Sequence, residues 1–212
     1  MAESFSNRLR RGFRWLAGRG WSAEDFARRY ARGSSDAWGY NDAPKHQGRA
    51  EWILGALPAD RFANALEVGC AQGFLSRRLA GRAERLVACD ISEAAIRQAR
   101  ESCAAFPGIA FHVADIRDGF PGADFDLCLF SDVLYYLSPR ENDAVLDEAR
   151  RMTAPGGFLV IVNEWNDRYR GLTPPSHAFA RLDANAGWKR EDFRRETFDG
   201  TALTLGAYRR LP

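Results

Sequence analysis

Short apolar runs alternate with segments of helical periodicity from Ala65 onward. The runs at residues 65–68, 85–89, 109–113, 125–130 and 157–163 are read as strands. Between them, residues 73–80, 92–103 and 141–152 carry apolar side chains three and four positions apart, which predicts amphipathic helices. Strands joined through helices need crossover connections, so the sheet is expected to be parallel with helices on both faces. Two later runs, 191–197 and 202–209, would complete the sheet at one edge. The expected fold class is α/β, a doubly wound sheet of seven strands.

Upstream the pattern changes. Phe5, Leu9, Phe13 and Leu16 form a helical stripe interrupted by arginines, and Gly18 and Gly20 end it. Ser22 stands three residues before Asp25, a capping-box spacing that predicts a helix running to about Arg32. Gly33-Ser34-Ser35 reads as a linker, and a further helix is expected over 46–57, stopping before Pro58. Residues 1–35 are therefore read as a helical extension or lid, and 36–212 as the α/β domain.

The 212 residues suit one such domain, and 46% apolar content gives it a core without metal or disulfide staples. A formal charge of +2 gives no ground for a nucleic-acid partner. The extension is nevertheless basic: Arg8, Arg10, Arg11, Arg14, Arg19, Arg28, Arg29 and Arg32 face only Glu3, Glu24 and Asp25. Such a helix packs on the domain or covers its site; the alternative is an acidic membrane surface. Cys70, Cys89, Cys103 and Cys128 show no C-x-x-C spacing and read as buried, reduced thiols of a cytoplasmic protein. Neither a membrane span nor a secretory leader is expected.

The segment Ala65-Leu66-Glu67-Val68-Gly69-Cys70-Ala71-Gln72-Gly73 runs from a strand through a glycine turn toward a helix. Gly69 permits the sharp turn, while Gly73 permits either close approach of a ligand or close packing of helix on strand. The glycines stand one residue further apart than in a dinucleotide fingerprint, which suits a ligand without a pyrophosphate at this turn. Asp90 ends the second strand, where a carboxylate can accept hydrogen bonds from both hydroxyls of a ribose. Ser92 is available to cap the following helix. Asp115, after the third strand, can accept from an adenine amino group with Ile116 against the ring; otherwise it is a turn aspartate. Ser131-Asp132-Val133-Leu134-Tyr135-Tyr136-Leu137 follows the fourth strand, beyond whose carboxyl end ligands of open α/β sheets bind.

Taken together, Glu67–Gly73, Asp90-Ile91, Asp115-Ile116, residues 125–137 and Ala154-Pro155-Gly156-Gly157 resemble the successive motifs of class I S-adenosylmethionine-dependent methyltransferases, in order and spacing. The resemblance covers residues 65–163. It implies a mostly parallel seven-stranded sheet whose last strand is antiparallel. It also implies S-adenosylmethionine as cofactor and S-adenosylhomocysteine as product. Glu67, Gly69, Cys70 and Gly73 would lie near the methionine, Asp90 and Ile91 at the ribose, Asp115 and Ile116 at the adenine, and Ser131 and Leu134 beside them. A narrower similarity links Leu66–Cys70 and Ser131–Leu137 to the nodulation protein S family, N-methyltransferases of chitooligosaccharide amines. In that comparison Trp38, Tyr40 and Arg49 resemble an N-terminal cofactor cover. The chain departs from the family at Glu164-Trp165, where a His-Trp pair is usual, and near His46, where an acidic residue is usual.

Methyl transfer is an in-line displacement in which alignment and exclusion of water do most of the work. A base is needed only for a poorly ionised acceptor. His177, in a proline-rich segment read as a loop over the site, is the expected base, with Glu164 and Asp132 as rivals. His112 reads as structural and His46 as either. Tyr135, Tyr136, Trp165 and Tyr169 are expected at the acceptor, and Trp165, Tyr169, Phe179 and Trp188 could form an aromatic wall or ordinary packing. No metal is expected. The predicted activity is methyl transfer to nitrogen or oxygen of a small molecule, a sugar or glycan-containing metabolite. An aromatic or polyketide-type acceptor, or cofactor binding without catalysis, are the alternatives. The partner is that small molecule, without nucleic acid or membrane, and the chain is a monomer or homodimer.

Overall fold

A computed structural model describes residues 21–31, 43–165 and 173–212. The helix expected over 5–16, the linker at 33–35, and Trp38, Tyr40 and Tyr169 lie outside the described residues. Helices α1 (Ala23–Ala31) and α2 (Ala43–Gly55) precede the sheet. Strands β1 (Phe62–Val68), β2 (Ala83–Asp90), β3 (Ile109–Val113), β4 (Phe125–Ser131) and β5 (Thr153–Glu164) then pair in parallel. The helices between them are α3 (Ser76–Leu79), α4 (Glu93–Ser102) and α5 (Pro139–Met152). Helix α6 (Pro175–Asp183) leads to β6 (Trp188–Phe198) and β7 (Thr201–Arg210). The strand order is β3-β2-β1-β4-β5-β7-β6, with β7 antiparallel to both neighbours. The expected mostly parallel, seven-stranded α/β sheet is what forms.

Side chains alternate across the sheet, so each strand feeds two cores. Ala65, Leu127, Leu129, Val160 and Val162 join Ile53 of α2, Leu79 of α3 and Ile96 of α4 on one face. Leu66, Cys128, Phe130, Leu159 and Ile161 join Val145 and Leu146 of α5 and Phe179 of α6 on the other. Burial on both sides is why β4 reads as an unbroken apolar run. All four cysteines are buried and free. No described helix is long and apolar enough to cross a membrane.

Local chemistry fixes where the helices begin. Ser138 and Glu141 form a capping box ahead of α5, with Pro139 at the first helical position. The capping box expected at Ser22 and Asp25 starts α1: the Ser22 N–H donates to Asp25 Oδ2 (2.9 Å) and the Asp25 N–H to Ser22 Oγ (3.4 Å).

Two expectations are corrected. Only Ser76–Leu79 of the helix read over 73–80 is helical, because Gly73 has φ +79° and belongs to the preceding turn. The proline-rich segment read as a loop through residue 187 contains α6, since a proline in the first turn starts a helix without losing a hydrogen bond. Of the two readings left open for Phe179 and Trp188, ordinary packing holds, since both are buried core.

Candidate active site

The strand order reverses between β1 and β4, the neighbours whose chains leave for opposite sides. A crevice opens there at the carboxyl ends of the strands. Of the two cavities described, the one at this crevice holds about 220 Å³ and its neighbour about 30 Å³, which makes the first the candidate ligand site.

The β1 turn is tied down from below, with the Gly69 and Cys70 N–H groups donating to the Cys89 carbonyl (2.8 and 3.1 Å). Gly69 has φ +81°, and a Cβ there would stand 2.3 Å from Val133 Cγ1. The turn also holds Ala71 at φ +47°, a conformation that costs a residue with a side chain of order 1 kcal/mol and recurs at ligand sites. That strain aims the Ala71 N–H at Asp90 Oδ2 (3.1 Å), while Ser92 N–H donates to Oδ1 (2.9 Å). Ser92 itself caps α4 by accepting from Ala95 N–H (3.3 Å). A carboxylate offers about four acceptor positions. Asp90 therefore keeps capacity on each oxygen toward the cavity that it lines. Burial pushes its carboxyl up to about 6, against the lowering effect of the two backbone bonds.

Ile91, Ala114, Asp115, Ile116 and Arg117 continue the lining. Asp115 is gripped by Arg117, whose backbone N–H and Nε donate to Oδ1 (3.0 and 2.8 Å) and whose Nη2 pairs with Oδ2. Burial raises the Asp115 carboxyl, but these bonds outweigh it and hold the group below the usual range. On the other flank Arg49 of α2 bonds Asp132 and Ser131 Oγ (3.3 Å), and Asp132 Oδ1 accepts from the Glu164 N–H (2.7 Å). Asp132 is itself held at φ +54°.

An aromatic wall does exist, assembled from other residues. The Trp21 N–H donates to the Tyr136 carbonyl (2.8 Å), docking α1 over the cavity. Trp21, Phe26 and Tyr136 pack with centroids 4.8–5.1 Å apart, and Tyr135 stacks on Tyr136 at 4.6 Å. With Tyr30 they line the cavity, as do Glu164 and Thr201. Trp21, Phe26, Tyr30 and Arg117 were missed in the sequence; the available signals were aromatic residues on the capped helix at 26 and 30, and the Asp-x-Arg spacing.

Among the expected site residues, Arg49, Gly69, Asp90, Ile91, Asp115, Ile116, Ser131, Asp132, Tyr135, Tyr136 and Glu164 come together around this cavity. Glu67 and Cys70 line the smaller recess behind Gly69 instead. Gly73 lies outside both linings, and a Cβ there would meet Cys103 Sγ at 2.6 Å, so it packs closely on the end of α4. Leu134 is wholly buried in the core, its carbonyl bonded to Asn142 (2.9 Å). Trp165 carries Arg195 over its ring at 4.4 Å and lies outside the lining. His177 stands on α6, away from the cavity, with Nε2 2.8 Å from Asp143 Oδ1. His177→Ala is accordingly expected to leave turnover within about twofold, as surface ion pairs contribute little; a steady-state rate measurement checks this, and a large loss would return His177 to the chemistry.

Residues 65–157 match the model of a methyltransferase domain. A solved relative with this architecture, the N-methyltransferase NodS from Bradyrhizobium japonicum WM9 in complex with S-adenosyl-L-homocysteine, superposes with a TM-score of 0.77 at 25% identity, covering 87% of this chain and 97% of that one. Over residues 65–157 the chain is similar to methyltransferase domains, and its fold is that of the solved N-methyltransferase. Nodulation protein S of Rhizobium tropici is 35% identical to this chain over 130 residues, 60% of this chain and 55% of the relative. Nodulation protein S of Bradyrhizobium diazoefficiens is 35% identical over 128 residues, 59% and 61%. The matches thus span under two thirds of the curated relatives' length. The residues of this cavity fit an adenosyl group such as the one bound in that solved relative: Asp90 has acceptor capacity facing the cavity, and Ile91, Ala114 and Ile116 add apolar lining.

Proposed function

We propose that the protein transfers a methyl group from S-adenosylmethionine to a nitrogen or oxygen of a small molecule, a sugar or glycan-containing metabolite. The observation that carries this reading is one cavity lined both by the Asp90 carboxylate and by the Trp21–Phe26–Tyr136 wall. When bound, the cofactor supplies an electrophilic methyl on a sulfonium.

The chain's own residues do the rest. Asp90 holds the ribose hydroxyls, Ile91 and Ile116 sandwich the base, and Arg49, held by Asp132 and Ser131, lines the cavity near the Gly69 turn. Residues 21–31 act as a cover, with Trp21, Phe26 and Tyr30 as its aromatic roof. Positioning of this kind supplies roughly 7–11 kcal/mol in favourable cases, and the roof keeps water from the reacting atoms. Asp132 is committed to Arg49 and to the Glu164 N–H, and Glu164, which lines the cavity, is the carboxylate proposed to take a proton from the acceptor. Aromatic walls accommodate the apolar face of a sugar as well as a cation. The solved relative is an N-methyltransferase, which makes an amino sugar the first acceptor to try.

Labelled-methyl transfer to amino sugars, hydroxylated sugars and phenols tests the reading. Transfer to none of them, with cofactor binding intact, would leave a binding protein. In the active case Trp21→Ala is expected to raise the acceptor KM about three- to tenfold, the worth of one aromatic contact, with a smaller change in kcat. An unmoved KM would take the acceptor away from this wall.

A further inference from the structure

Arg117 lies in the cavity lining yet spends its guanidinium on two carboxylates from different parts of the fold. Its Nε and Nη2 take both oxygens of Asp115, and its Nη1 donates to Glu141 Oε1 (3.2 Å). Glu141 is not a passing surface partner. Its other oxygen, Oε2, accepts from the Ser138 N–H and from Ser138 Oγ, both at 2.8 Å, closing the capping box of α5. All three charged side chains are about one fifth exposed, so the pairs are only partly screened by solvent. A chain of charge-assisted bonds therefore runs from the cavity wall to the first turn of α5, adjoining the Tyr135-Tyr136 segment.

We propose that Arg117 is a positioning residue that presets Asp115 to read the 6-amino group of the cofactor's purine, with Glu141 anchoring Arg117 to the start of α5. This rests on the adenosyl reading of the cavity given above. An isolated aspartate after a strand end has several rotamers, and burial would favour its protonated form. Arg117 removes both freedoms. The planar guanidinium fixes the carboxylate plane through two bonds, and its charge keeps the group ionised. Three of about four acceptor positions on Asp115 are then filled by Arg117, leaving a single direction open to an N–H donor in the cavity. A 6-oxo purine presents an acceptor in that place and is rejected; with Arg117 gone, Asp115 can turn aside and the rejection fades.

The test compares binding of S-adenosylhomocysteine with its hypoxanthine analogue by calorimetry, so the ratio of two affinities is read instead of turnover. The parent chain is expected to prefer the adenine form by about 10–100-fold, the worth of one hydrogen bond to a charged group. Arg117→Ala is expected to bring the ratio to within about threefold, with Arg117→Lys recovering part of it. Glu141→Gln keeps the capping-box acceptor for Ser138 while turning a donor toward Arg117, and is expected to lower the ratio without unfolding α5. If these variants weaken both ligands equally and the ratio stands, Arg117 is structural and the proposal fails. If the parent chain binds neither ligand, the adenosyl reading itself fails.

Discussion

Asp90→Ala is expected to weaken S-adenosylhomocysteine binding by about 100-fold or more, since two ribose hydroxyl bonds to a carboxylate disappear together. The same residue makes binding depend on pH. Its carboxyl sits at about 6 because burial outweighs two backbone N–H bonds. Below that value the resting site is protonated, and a ligand donating two hydroxyls must displace the proton. Affinity is therefore expected to hold between pH 7 and 8 and to decline below about 6, with the decline absent in Asp90→Asn. Calorimetric titration at pH 5.5 and 7.5 checks both statements. An Asp90→Ala variant that binds within threefold of the parent would remove the ribose from this carboxylate.

Glu67→Gln is expected to stabilise the ligand-free protein at alkaline pH. Glu67 is 1% exposed on β1, one of its oxygens has no hydrogen-bond partner, and burial pushes its carboxyl from 4.5 to about 7, with Ser76 opposing and the Asp90 charge adding. The folded chain thus holds this proton more tightly than the unfolded chain does. Stability from this group is greatest below about 4.5 and is lost as pH rises through about 7, by about 3 kcal/mol in all. A neutral isostere escapes that loss. In thermal unfolding Glu67→Gln is expected to exceed the parent by about 6–10 °C at pH 8, the gap closing as pH falls toward 4.5. A gap that is constant with pH would mean that Glu67 is not the group being titrated.

Those two carboxylates were legible in the sequence because each ends or nearly ends an apolar run, and buried parallel strands announce themselves as such runs. Asp90 and Asp115 follow from strand ends alone, and topology then places strand ends at the crevice. What the sequence hid has a common cause. The wall of Trp21, Phe26 and Tyr136 joins residues over a hundred positions apart, and no local periodicity encodes that docking. His177 was misplaced because Thr173-Pro174-Pro175 reads as a loop, although Ala178, Phe179 and Leu182 carried the spacing of a buried helical face. Gly73 could be read for a ligand or for packing, and only the position of Cys103 decides between them.

The strand order has a consequence for how the chain is made. β6 is synthesised before β7, yet it reaches the sheet only through β7, which pairs with β5. While the chain emerges from the ribosome, residues 188–198 are a strand with no ladder to join, the circumstance in which nascent chains associate wrongly. Lys189, Arg190, Glu191, Asp192, Arg194, Arg195 and Glu196 give that waiting segment charge of both signs at seven of its 11 positions. Such a ribbon is poorly suited to zip onto a neighbouring copy, and it becomes sheet only when its own hairpin partner arrives.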